Sequence, residues 1–190
     1  MAKNKVISIC LLFILSIIPL YSVVANDGYC VRVTANSYVG VRERGGNNKG
    51  FTDRDLRNKL AAVGWKPGYA WCSFFVMAML DECNVPHTIT GWSPTAYNKK
   101  DVIFTNGSFY KTFSSGDVLV MTLSYNDGRG RYKNIGHTGI VDAVGKYSVR
   151  TIEGNTNERG TRDSRSGDGV YVKIRPLNKN LHITRWKKRS

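Results

Sequence analysis

The sequence predicts an α+β fold, with helices in the first half of the chain and an antiparallel sheet in the second. Three observations carry this expectation. They are a capped amphipathic segment after Thr52, an apolar segment from Trp71 to Glu82, and five short β-branched runs after Asp117. Helical patterns followed by strand patterns, without alternation, favour α+β over a parallel α/β arrangement. Hydrophobic residues make up 42% and charged residues 22%, the balance of a chain that builds a core and not of a disordered one. With 19 Gly, 5 Pro and 4 Cys in 190 residues, collagen-like and disulfide-dense scaffolds are excluded, and the length suits one domain.

Residues 1–25 read as a signal peptide. Lys3 and Lys5 precede an uncharged apolar run from Val6 to Val24, broken by Pro19, and Val23-Val24-Ala25 supplies the small residues for cleavage after Ala25. The alternative is an uncleaved anchor, since the run nearly reaches a bilayer-spanning length. Cleavage would leave residues 26–190 as a single catalytic domain of 165 residues with a formal charge of +12, periplasmic or secreted. Such a charge draws a protein toward polyanions or an anionic envelope. Nucleic acid fits the charge but not export, so no nucleic-acid partner is expected. A merely solvated basic surface fits as well.

Along the exported part, Thr52-Asp53-Arg54-Asp55 reads as a capping box in which the Thr52 hydroxyl and Asp55 carboxylate satisfy free N–H groups. Leu56, Leu60 and Val63 then mark one helix face, and Gly64 ends it. Phe74, Phe75, Val76, Met79 and Leu80 cover most of the circumference of the Trp71–Glu82 helix, which predicts a central buried helix after the Pro67-Gly68 turn. Strands are expected at Asp117–Leu123, His137–Val144, Ser148–Glu153, Gly169–Ile174 and His182–Trp186, about five in all. The tight connection at Gly145-Lys146 predicts a hairpin between the second and third.

Three cysteines follow the leader: Cys30, Cys72 and Cys83. In an oxidising compartment an odd number leaves one thiol over. Cys72 and Cys83 share one predicted helix, and at about 1.5 Å per residue they stand roughly 16 Å apart, beyond the reach of a disulfide. Cys83 either pairs with Cys30 or is a buried small hydrophobe. Cys72 occupies the first helical turn, where free N–H groups and the macrodipole favour a thiolate over a thiol. Its neighbours Trp71, Phe74 and Phe75 equally suit a core residue, so a base must decide between the two.

Of the histidines, His87 and His182 read as surface residues. His137 follows Gly136 and opens the strand Thr138-Gly139-Ile140-Val141, a position from which an imidazole reaches a helix N-terminus. If this strand pairs with the next as a hairpin, their outer ends meet and bring Glu153 or Asn155 beside His137. A carboxylate or amide there would fix the tautomer and stabilise the imidazolium, completing a nucleophile–base–orienter set.

The successive segments Gly68-Tyr69-Ala70-Trp71-Cys72-Ser73-Phe74-Phe75-Val76, Gly116-Asp117-Val118, Gly136-His137-Thr138-Gly139-Ile140-Val141 and Ile152-Glu153-Gly154-Asn155 resemble the motifs of CHAP (cysteine, histidine-dependent amidohydrolase/peptidase) domains. Their order and spacing match, as do Gly40-Val41-Arg42-Glu43 and Gly45-Gly46-Asn47-Asn48 upstream. The resemblance runs from about Gly40 to Ile174. It implies a papain-like fold and hydrolysis of amide bonds in peptidoglycan. By motif position it implies Cys72 as nucleophile, His137 as base and Glu153 as orienter, with Asn155 assisting His137 or the oxyanion. Ala70 and Ser73 stand where the family often has Pro and Ala, and neither touches a reacting atom.

Some relatives bind calcium through Asp residues before the nucleophile. Residues 65–70 contain no carboxylate, and no Cys/His spacing suits zinc, so no metal or other cofactor is expected. Tyr69, Trp71 and Trp92 are candidate substrate contacts, with Trp65 and Tyr97 in the same stretch, although aromatics near a core helix often only pack. Gly128-Arg129-Gly130-Arg131 reads as a basic insertion and Lys187-Lys188-Arg189 as a solvated tail. The expected function is an exported, monomeric N-acetylmuramoyl-L-alanine amidase or endopeptidase with peptidoglycan as substrate. The alternatives are a silent basic wall-binding module, or an antibacterial toxin or lysin with the same chemistry, for which an inhibitor or immunity protein would be a partner. A binder has no need for Cys72, His137 and Glu153 together.

Overall fold

The structure is a computed structural model, which describes residues 27–126, 132–158 and 168–187. The expected leader (1–25) and the Gly128–Arg131 insertion lie outside the described residues, as do Lys188 and Arg189 of the tail. Helices α1 (Asp27–Ser37), α2 (Arg54–Ala62) and α3 (Cys72–Glu82) precede strands β1 (Val102–Thr105), β2 (Ser108–Phe109), β3 (Val118–Asn126), β4 (Tyr132–Val144), β5 (Ser148–Thr156), β6 (Gly169–Pro176) and β7 (Leu181–Thr184). A short 3-10 turn, Ser93–Ala96, stands between the two sets. The fold is α+β. All neighbouring strands are antiparallel, in the order β2-β1-β7-β3-β4-β5-β6. The sheet therefore has seven strands, not about five. Among the described residues no helix is long and apolar enough to cross a membrane.

The two extra strands are β1 and β2. They form a hairpin whose loop is Asn106-Gly107, with φ of +51° and +81°. Two consecutive positive φ values match the right-handed twist of the flanking strands, and Asn-Gly adopts them at little cost. Helix α1 was also unexpected. Only Val31 and Ala35 of its 11 residues are buried side chains of the core, so its sequence carries little amphipathic pattern. It is held from outside: Cys30 is bonded to Cys83 at the end of α3, and Arg32 pairs with Asp142 of β4.

Helix α2 begins differently from expectation. Its cap is Asp53, whose carboxylate accepts from the Leu56 N–H at 2.7 Å, and not Thr52. Asp55 does not reach back to the helix start either; it accepts the Tyr38 hydroxyl. An Asp one residue closer to the helix offers the same acceptor as Thr52 and wins the position.

Helix α3 lies where the apolar run placed it. Eight of its 11 residues are buried, and it packs against β4 and β5. Val118, Val120, Ile140 and Ile152 face it from the sheet. The alternate residues Leu119, Met121, Val141 and Val149 join Ile103, Phe104, Leu181 and Ile183 in a second cluster. Strand alternation thus separates two apolar layers. The contact is tightest at Gly154, where a Cβ would stand 2.5 Å from the Trp71 ring and 2.8 Å from Phe75 Cβ. Gly154 lets the start of α3 lie directly on β5, and this seats Cys72 beside the end of the β4–β5 hairpin.

The Cys30–Cys83 bridge closes a separation of 53 residues. Replacing both by Ser is expected to lower the unfolding free energy by about 4 kcal/mol through the freed chain entropy. Urea titration followed by Trp fluorescence measures it, and a change below about 1 kcal/mol would show that packing alone holds α1.

Candidate active site

Cys72 is the first residue of α3, and its placement begins with Trp71. The Trp71 indole is fully buried, edge-on to Phe51 and Phe75. Its Nε1–H donates to Glu43 Oε1, and Glu43 Oε2 accepts from the Asn48 N–H at 2.9 Å. Burial pushes the Glu43 carboxyl above its ordinary value even though these two donors pull the other way. The Gly68 N–H donates to the Asn48 carbonyl at 2.7 Å, which ties the same loop to the turn before the nucleophile. Segment 43–48 thus fixes the residue before Cys72, a role that only the motif resemblance hinted at. Trp71 carries no side-chain cap for the helix, so no side chain occupies its first-turn N–H groups.

Cys72 is a free thiol, 7% exposed. It stands near enough to the His137 imidazole to help raise that ring's pKa. His137 Nε2 lies 2.8 Å from Glu153 Oε2, which leaves Nδ1 as the nitrogen for sulfur. The hairpin register explains the meeting. Ile140 pairs with Ile152, so Gly139 stands opposite Glu153, and His137 is its diagonal neighbour on the same face. A Cβ on residue 139 would lie 2.6 Å from Glu153 Cγ, so the glycine opens the path by which the carboxylate reaches the imidazole.

Glu153 is wholly buried. Its Oε1 accepts from the Thr151 hydroxyl at 2.6 Å and from Arg175 Nε at 2.9 Å, while Oε2 accepts from Arg175 Nη2 at 2.5 Å besides facing His137. Burial alone would raise this carboxyl. The Arg175 and His137 contacts overcome that and hold it well below the usual carboxylate range. Burial likewise works against a charged His137, but the Glu153 carboxylate and Cys72 raise its pKa to about 10. The imidazole is therefore bonded to the carboxylate on one side, neighbours the thiol on the other, and is held as a cation.

Asn155 sits where β5 carries one residue more than β6: Glu153 pairs with Tyr171 but Thr156 with Gly169. The extra residue makes a bulge, and Asn155 takes φ of +57° within it. Its Oδ1 is buried without a hydrogen-bond partner among the described residues. Among the described residues Asn155 makes no hydrogen bond to His137 or Cys72.

Not every expected residue belongs to the site. Trp71 is a buried support of the nucleophile and not a substrate contact, because its ring is enclosed by the core. Trp65 is likewise buried, with its N–H on the Tyr69 carbonyl, and Tyr97 packs partly buried against the core and His182. Tyr69 and Trp92 are exposed, at 54% and 68%. Ser73 Oγ donates to the Thr90 carbonyl, and a Cβ on Gly136 would lie 2.2 Å from Ser93 Oγ. Residues 90–94, with Trp92 among them, thus bridge the start of α3 and the residue before His137. Gly136 is needed for this seating of the 3-10 turn. His87 and His182 are not free surface residues, since His87 pairs with Asp81 and His182 bonds to Thr105. Asp117 is also structural: Arg185 holds both its oxygens, at 2.6 and 2.9 Å.

Among the described residues no group of three or more His, Cys, Asp and Glu is arranged to hold a metal ion. The set that remains defines the class, a cysteine nucleophile with an imidazole base and a carboxylate orienter. Residues 63–155 match the family model of the CHAP domain. This is a family of amidase- and peptidase-like hydrolases. No curated protein and no solved structure matches the chain.

The signs of the two shifts set a pH dependence. His137 is raised, so its contribution to stability is complete below its ordinary value of about 6.5 and is lost as pH rises toward about 10. Glu153 is lowered, so its contribution is present above about 4.3 and is lost as pH falls through its folded value. Glu153→Gln removes the charge that holds the imidazolium. The His137 ring titration, followed by NMR, is expected to move down by about one unit or more in this variant. An unchanged midpoint would detach Glu153 from His137.

Proposed function

We propose that the chain is an exported cysteine hydrolase that cleaves amide or peptide bonds of peptidoglycan. The observation that carries this reading is the connected set Cys72–His137–Glu153 at the start of a buried helix, within a CHAP domain. Export rests on the sequence of residues 1–25, and periplasmic or secreted action follows from it. The reading includes a papain-like division of labour, with the thiol on a helix and the imidazole on the sheet.

Cys72 Sγ, its proton held by His137, attacks the carbonyl carbon of the scissile amide. The tetrahedral oxyanion forms beside the Cys72 N–H, one of the first-turn groups that no side chain caps. His137 then passes its proton to the departing amine, leaving a thioester on Cys72. Water, deprotonated by His137, attacks the thioester, and the thiol is restored. Glu153 holds the ring in the tautomer and orientation that both transfers require. Asn155, with an unclaimed amide oxygen in the bulge beside the set, is the fourth polar group. Both an amidase and an endopeptidase present the same carbonyl to this set. The peptidoglycan-directed character of the family favours the wall over other amides.

Cys72→Ala is expected to abolish release of soluble fragments from purified peptidoglycan while the melting curve stays within a few degrees of wild type. Mass spectrometry of the wild-type products identifies the bond, as a free lactyl group after amidase action or a split stem or bridge after endopeptidase action. Wild-type activity in the Cys72 variant would end the cysteine mechanism. Trp92→Ala is expected to raise KM several-fold with kcat little changed, since the exposed ring binds without reacting. A fall in kcat alone would place Trp92 outside the substrate path.

A further inference from the structure

We infer that Arg175 is a positioning residue of the catalytic set, acting through Glu153, so that the working unit has four members: Cys72, His137, Glu153 and Arg175. The inference deepens the hydrolase reading above and rests on it for substrate, though not for geometry.

Arg175 lies on β6, paired with Val149 of β5, and its guanidinium reaches along the sheet face to Glu153. Nε and Nη2 engage the two carboxylate oxygens separately, at 2.9 and 2.5 Å. Such a fork fixes the plane of the carboxylate as well as its position, which a single donor does not. The Thr151 hydroxyl at 2.6 Å and His137 at 2.8 Å complete four contacts, two to each oxygen. Glu153 has no exposure, so water does not replace a lost partner. The Arg175 side chain is 20% exposed, so this cation joins a buried site to the surface.

The charged groups around Glu153 come from three elements. Cys72 belongs to α3, His137 to β4, and Arg175 and Lys173 to β6. Lys173 donates to the carbonyls of Asn157 and Glu158 at 3.0 and 2.7 Å, so Arg175 is the cation bonded to the carboxylate. With thiolate and imidazolium present, the signs alternate from Cys72 to Arg175 and cancel. Without Arg175, a buried carboxylate would rest on His137 and the neutral Thr151 hydroxyl, and its competition for a proton at acid pH would disarm the base. Arg175 also offsets part of the pull of Glu153 on the imidazolium proton, which must leave for the departing amine.

The test compares Arg175→Gln and Arg175→Lys with wild type, each also combined with Glu153→Gln. Two readouts are taken against pH: kcat and KM on purified peptidoglycan, and the rate at which iodoacetamide alkylates Cys72, followed by peptide mass spectrometry. Arg175→Gln is expected to lower kcat by about tenfold or more with KM little changed, and to move the acid limb of both profiles to higher pH. Arg175→Lys keeps the charge but not the fork, and should recover most of the acid-limb shift while kcat stays reduced. In the Glu153→Gln background, Arg175→Gln should add no more than about twofold, because its route to His137 is already cut. A folded Arg175→Gln protein with wild-type profiles, or losses that multiply across the two positions, would overturn the inference. If Arg175→Gln does not fold, Arg175→Lys carries the test, and an unchanged kcat overturns it. Failure of wild type on peptidoglycan with the alkylation shifts intact would remove the substrate reading and leave Arg175 in place.

Discussion

A carboxylate without access to water is the constraint around which the site is arranged. Leaving Glu153 unpaired in the interior would cost several kcal/mol, and an ion pair repays such a cost only when geometry and hydrogen bonds are nearly complete. Here they are: Thr151, Arg175 and His137 occupy both oxygens. The same pairing sets the imidazole. The ring is held on Nε2 by Glu153 and presents its other nitrogen to Cys72, so base orientation and carboxylate burial are one structural fact seen from two sides.

That arrangement needs backbones to approach more closely than side chains allow, and three glycines provide it. Gly139 clears the space through which Glu153 crosses to His137, and Gly154 lets the Trp71–Phe75 edge of α3 lie on β5. Gly136 lets the 3-10 turn close against β4. Each would place a Cβ within 2.6 Å of a neighbour, and none of the three is required by a positive φ. Their function is proximity, and what they bring together is the helix start, the carboxylate and His137, which stands in the middle of β4 and does not open the strand as its sequence suggested.

The site was more legible in the sequence than the periphery of the fold. A helix apolar on nearly all sides, and a hairpin whose register follows from a short loop, are strong periodic signals, and together they place Cys72, His137 and Glu153. Asn-Gly at 106–107 is an equally strong hairpin signal, but the flanking β1 and β2 span four and two residues and show no alternation. Helix α1 was illegible for a different reason: a disulfide and an ion pair hold it, and neither leaves a periodic pattern. Trp71 was misread because an aromatic beside a nucleophile looks the same in sequence whether it faces substrate or core. Arg175 stands 22 residues from its partner, in a strand that also carries Lys173, and only the pairing of β5 with β6 separates the two.

The chain as a whole carries +14, while Glu153 and Arg175 pair in the interior beside His137. These facts separate two kinds of electrostatics. Surface charge acts over a screening length of about 8 Å at physiological ionic strength and weakens as salt rises. The buried charges sit within hydrogen-bond distance of each other and are screened little. A basic exterior therefore biases the proton held by His137 little, because Glu153 and Arg175 act on it at much shorter range. The exterior was readable from composition. The internal balance depends on which of many basic residues reaches the one wholly buried glutamate, and strand register decides that.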